Sequence, residues 1–176
     1  MIEKKLTEAD YKRFAKEYSP NKGKVNTLLI GEAPPPDGYA YFYKVPYKYP
    51  IRNCTIENDT SLPATIFNHY FGKRPNDSNE YKKYLACLKD RGIFLIDIYN
   101  KAIPFRNRPE NIPLLKAKSN LDKLAKRIIK ISNTKTTIIF LLARSSYLKD
   151  LRINFPNASF INWKCFRLDI TQAQQC

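Results

Sequence analysis

The stretch Leu28-Leu29-Ile30-Gly31-Glu32-Ala33-Pro34-Pro35-Pro36-Asp37-Gly38 constrains this chain most. An apolar run stops at a glycine and a carboxylate. Three consecutive prolines follow, each with φ fixed and no N–H to give to a ladder. The residue before each proline is driven to extended conformations. A short apolar run closed by Gly and a stiff loop reads as a buried strand leaving the carboxyl edge of a parallel sheet. Ligands bind along that edge in open α/β sheets. Glu32 is therefore a candidate for chemistry; the plain alternative is a solvated carboxylate at an ordinary strand exit.

The rest of the chain supplies partners for that strand. Thr7 with Asp10 three residues on marks a helix start, running to about Tyr18 before Pro20-Asn21-Lys22-Gly23. Val25 to Ile30 is the first strand. Residues 32–60 form a long loop with Tyr39, Tyr41, Tyr43, Tyr47 and Tyr49, too aromatic for simple disorder. Ser61-Leu62-Pro63 opens a helix that ends near Gly72. Ser78 to Leu88 is a further helix, and Gly92 to Asp97 a second buried strand that again ends on a carboxylate. Lys101 to Pro113 is a basic loop. Ser119 caps a helix to about Ile131 with Leu121, Leu124, Ile128 and Ile129 on one face. Thr136 to Leu142 is a strand, Arg144 to Leu151 a short helix, and Ala158 to Ile161 the fourth strand. Helices alternating with strands predict one α/β domain over 1–176, three layers (αβα) about a mainly parallel four-stranded sheet. Glu32, Asp97, Arg144 and Asn162 then gather along one edge.

Charge narrows the partner. Lys and Arg number 31 against 16 acids, a net +15. Such an excess points to a polyanion, most often nucleic acid, and the abundant Tyr and Phe offer faces for stacking bases. The other reading is a solvated lysine-rich surface. No apolar run reaches 18 residues, so no membrane span is expected. Met1 to Lys5 lacks the apolar core of a signal peptide, and a cytoplasmic location is expected. Cys54, Cys87, Cys165 and Cys176 contain no C-x-x-C pair and His69 stands alone, so neither a metal site nor a cofactor is expected. Free thiols in a reducing compartment fit that pattern. His69, among aromatic neighbours on a helix, reads as a packed side chain.

Gly31-Glu32-Ala33-Pro34 after an apolar strand resembles the first motif of the uracil-DNA glycosylase superfamily. Gly92 to Lys101 resembles that superfamily's second strand and the loop after it, and Ile138 to Arg144 its third strand. The resemblance spans residues 25–165. It implies a four-stranded parallel sheet between helices, a monomer acting on DNA, and release of a flipped base. Glu32 would position a water and stabilise the oxocarbenium-like sugar. Phe42, with Tyr41 and Tyr43 close behind, would stack on the base, and Gly31, Ala33 and Pro35 would shape the pocket.

Two departures from the pattern bear on the substrate. Phe160-Ile161-Asn162-Trp163-Lys164-Cys165 stands where the family carries a His-Pro-Ser type motif, leaving Asn162 as a neutral donor and Trp163 and Lys164 to clamp DNA. Asp97 stands where many members place an asparagine. An ionised carboxylate only accepts, which suits an exocyclic amine such as that of cytosine. Asp97 has the plain alternative of capping the next turn. Lys101, Arg106, Arg108 and Arg144 complete the expected phosphate contacts. The expected function is a monofunctional glycosylase acting on uracil or a modified cytosine, in DNA repair or in defence against modified phage DNA; the alternative is a non-catalytic nucleic-acid-binding module on the same fold.

Overall fold

The structure is a computed structural model that describes residues 6–21, 23–35, 41–50, 55–99, 102, 118–142 and 148–162, the side chains of Lys118 and Ser119 excepted. It is a three-layer α/β fold around a four-stranded, all-parallel sheet in the order β2-β1-β3-β4. β1 is Thr27–Gly31, β2 Ile93–Asp97, β3 Thr137–Leu141 and β4 Ser159–Ile161. The described helices are α1 (Glu8–Glu17), α2 (Leu62–Phe71), α3 (Ser78–Asp90), α4 (Lys118–Ile131) and α5 (Leu148–Asn154), with a 3₁₀ turn at Ile56–Asn58. No described helix is long and apolar enough to cross a membrane.

Local chemistry accounts for the helix ends. The Asp10 N–H donates to the Thr7 hydroxyl and the Thr7 N–H to the Asp10 carboxylate, a full capping box. Ser61 accepts from the Ala64 N–H, and α2 ends at Gly72, whose φ of +70° is the left-handed closure that glycine adopts without strain. Asp77 caps α3 through the Glu80 N–H.

Three expectations change. Ile129 is 75% exposed while Leu121, Leu124 and Ile128 are buried, because 129 lies about 100° around the helix from 128. α5 runs to Asn154, three residues past the expected end at Leu151, and Arg144 lies outside the described residues. Cys87 is disulfide-bonded, which corrects the expectation of free thiols. Disulfides join residues near in space, and sequence spacing does not report that; the other three cysteines lie outside the described residues.

The core is aromatic on the β2 side. Phe67 of α2 is fully buried against Tyr81 and Tyr84 of α3, at 4.8 and 5.5 Å between ring centroids, and against Phe42 at 5.6 Å. Tyr43 covers the outer edge of β2. Its hydroxyl donates to the Leu95 carbonyl at 3.0 Å and accepts from the Leu95 N–H at 2.6 Å. One phenol thus satisfies both backbone groups of an edge residue that would otherwise be open to another chain.

Candidate functional site

Register fixes two of the expected groups side by side. Gly31 of β1 pairs with Asp97 of β2. The pairing continues past the strands, where the Ile98 N–H donates to the Gly31 carbonyl at 2.9 Å and the Tyr99 N–H to the Glu32 carbonyl at 3.2 Å. Glu32 and Asp97 therefore leave the sheet from two exits laced together by backbone hydrogen bonds. Asn162 follows β4 and is exposed. It lies two strand spacings from β1 and three from β2, about 10 and 14 Å at the usual separation. The sheet brings Glu32 and Asp97 together and leaves Asn162 apart, beyond β3.

Gly31 is explained by its neighbour. A Cβ at this position would stand 2.5 Å from the Asp97 carboxylate oxygen Oδ1. The carboxylate packs over bare backbone, and any side chain at position 31 would have to displace it.

Asp97 lines a pocket of about 80 Å³. Tyr11 and Lys12 of α1, Pro34, Tyr41, Tyr99 and Arg127 of α4 are among the residues that line it with Asp97. The wall is rigid. Tyr11 and Tyr41 meet edge to face at 4.7 Å. The Tyr11 hydroxyl donates to the Pro35 carbonyl at 2.6 Å, tying the proline loop to α1, and the Tyr41 hydroxyl donates to the Tyr11 carbonyl at 3.1 Å. Burial, and then the Asp97 charge, push the Tyr41 phenol far above its ordinary range, so it is a neutral donor at every working pH. Burial and then Glu32 push Tyr99 up to about 12. Burial lowers Arg127, and Asp97, Glu8 and Tyr41 act in the opposite direction. Nη1 of Arg127 donates to the Ile98 carbonyl at 3.1 Å.

Tyr41 lines the pocket, but the other two expected base-stacking rings are elsewhere. Phe42 and Tyr43 are 4% and 3% exposed. The Phe42 carbonyl accepts from Tyr81, and the Tyr43 hydroxyl serves Leu95. Both are core residues, because a ring that packs on Phe67 or Phe94 removes more apolar surface from water than one left at the edge. Ala33 and Pro35 are half-buried in the loop after β1. Lys101, Arg106, Arg108, Arg144, Trp163 and Lys164 lie outside the described residues. Among the described residues no group of three or more His, Cys, Asp or Glu could hold a metal ion. His69 on α2 is half-buried with its ring 4.7 Å from Tyr70, and burial lowers its pKa.

Arg127 is the residue that sequence reasoning missed. A signal was available: Arg127 stands three residues after Leu124 and four before Ile131, inside the apolar stripe, where a solvated arginine is out of place. No family model, curated protein or solved structure matches the chain.

Proposed function

We propose that the chain is a monofunctional DNA glycosylase that hydrolyses the N-glycosidic bond of a flipped deaminated or modified pyrimidine, uracil or a modified cytosine, in repair or in defence against modified phage DNA. One observation carries the reading: two carboxylates, Glu32 and Asp97, leave neighbouring exits of a parallel sheet whose backbone is hydrogen-bonded beyond both strands. Glu32 faces the sugar and Asp97 the base. As the C1′–N bond breaks, its electron pair leaves with the base and positive charge spreads over C1′ and the ring oxygen. Glu32 stabilises that charge and orients a water, whose oxygen bonds to C1′ and whose proton passes to Glu32 and then, through solvent, to the departed base anion. The resemblance of residues 25–165 to the uracil-DNA glycosylase superfamily and the net charge of +15 support the choice of DNA. Lys101, Arg106, Arg108, Arg144, Trp163 and Lys164 follow the strand exits in sequence and are the proposed strand contacts.

A second reading, a non-catalytic nucleic-acid-binding module on the same fold, is favoured by the size of the Asp97 pocket. About 80 Å³ is the room of two or three waters, well below a usual ligand cavity. Counting abasic sites in single- and double-stranded DNA containing uracil or modified cytosine separates the two. The glycosylase generates them, and Glu32→Gln slows base release by roughly 10²–10³ while DNA binding persists. Salt-dependent binding with no abasic sites at any enzyme concentration selects the module. A Glu32→Gln variant as fast as its parent makes Glu32 structural.

A further inference from the structure

We propose that Tyr47 is a stacking platform for an unpaired base of single-stranded nucleic acid, set outside the Asp97 pocket and flanked by Lys48. The inference rests on nucleic acid as the partner, which both readings of function share, and it needs no cleavage. The exposure of the ring carries it. Tyr47 is 103% exposed, whereas Tyr41, Phe42, Tyr43 and Tyr49 of the same segment are only 3% to 6% exposed. A tyrosine that buries nothing contributes nothing to the core.

The backbone under this ring is held on both sides. Before it, the Tyr43 hydroxyl makes its two hydrogen bonds to Leu95 of β2, and the Lys44 N–H donates to the Tyr41 carbonyl at 3.0 Å. After it, Tyr49 packs on Tyr81 of α3 at 5.6 Å between ring centroids. Pro46, next to Tyr47, is buried and has its own φ fixed. A ring on such a segment costs little backbone entropy when a ligand covers it. Among the described residues Tyr47 makes no hydrogen bond and no ring or cation contact, so they leave both of its faces open.

The surroundings select the partner. Every base has a π-face that can stack on a tyrosine, and the phosphates beside that base call for cations. Lys48 follows directly, exposed and in no ion pair among the described residues. A protein hot spot needs near neighbours that exclude water from the ring. The other exposed large hydrophobic side chains, Ile129 and Ile153, stand on α4 and α5 and not in this segment. The net charge of +15 favours a polyanion. Bases inside a duplex already stack on one another, so the platform serves unpaired ones. Tyr47 lies four residues past Tyr43, at most about 14 Å of chain, and Tyr43 is bound two residues short of Asp97. The platform therefore flanks the β2 exit without belonging to the pocket there.

The test compares strands of equal charge with and without bases. The full-length protein is titrated with a short oligothymidylate, with a strand of the same length built of abasic tetrahydrofuran units, and with a duplex of that length. The wild type binds the oligothymidylate more tightly than the abasic strand by about fivefold to a hundredfold, the size of one stacked base. Tyr47→Ala lowers oligothymidylate affinity by that factor and leaves abasic-strand and duplex binding as they were, which also shows that the variant is folded. Tyr47→Phe keeps the wild-type affinity. Lys48→Ala weakens both single strands alike and reduces their salt slopes by about 1. Three results overturn the inference, whether or not abasic sites form on uracil DNA: a Tyr47→Ala variant as tight as its parent on oligothymidylate, equal losses on all three ligands, or a Tyr47→Phe variant as weak as Tyr47→Ala. A wild type that binds none of the three at low salt overturns it together with both readings of function.

Discussion

β1 and β2 are buried along almost their whole length, whereas β3 is exposed at its amino end and becomes buried only at Phe140 and Leu141, and β4 is exposed at its amino end and half-buried further on. On the β2 side, α2, α3 and the 41–50 segment supply interlocked rings around Phe67. On the β4 side the described aromatic packing is a short stack, Phe140 between Phe155 and Phe160 at 5.4 and 4.9 Å, with Arg152 over the Phe160 ring. The built pocket is at the heavily packed end, and Asn162 leaves from the sparser one. The difference teaches where this fold can hold a group still. A carboxylate stays within a few tenths of an ångström only if the elements behind it cannot move, and the aromatic side provides that backing.

Truncating a ring on each side tests the contrast most directly. Phe67→Ala removes a fully buried ring and lowers stability by about 3–5 kcal/mol. Phe160→Ala, at a half-buried position, costs about 1–2 kcal/mol. Urea unfolding of both variants checks this, and equal costs would mean that the two halves are equally well packed.

A single oxygen sharpens the comparison. Tyr43→Phe leaves the Leu95 N–H and carbonyl without their shared partner in a buried setting, at about 1–3 kcal/mol. Amide hydrogen exchange at Leu95 accelerates in the variant. An unchanged Leu95 exchange rate would show that something other than the Tyr43 hydroxyl protects the edge.

The smallest effect is a pH dependence on α3. Burial is the largest single influence and raises the Glu80 pKa, but the Asn76 N–H, Lys73 and Tyr84 together outweigh it and hold the carboxyl at about 2. The folded pKa is depressed, so the contribution is present above about pH 4.5 and is lost as the pH falls toward 2. The group is solvent-screened, so Glu80→Gln lowers the thermal midpoint by only about 1–3 °C at pH 7 and by nothing at pH 2. A difference that persists at pH 2 would assign the effect to packing.

Signals confined to neighbouring residues were legible in the sequence. The Thr7–Asp10 box, the Ser61 cap with Gly72, and the exits at Gly31 and Asp97 rest on turn chemistry and apolar runs, and they fall within a residue or two of where they were expected. The tyrosine-rich loop was not legible, because Tyr41, Phe42 and Tyr43 look alike as core and as a base-stacking wall. Only their partners, Tyr11, Phe67 and Leu95, which are 30, 25 and 52 residues away, decide it. Asn162 was expected along the same edge as Glu32, and it does follow a parallel strand there. The order β2-β1-β3-β4, which spacing along the chain does not encode, puts a strand between them.

Gly31 has a consequence for how sequences like this one can drift. Its backbone does not demand glycine; its φ is not among the left-handed ones. What stands in the way of a side chain there is the carboxylate oxygen across the strand pair, the far end of a side chain that has to move before anything larger than hydrogen fits. A change at position 31 therefore displaces Asp97 without touching it, and shortening Asp97 opens position 31 to larger residues.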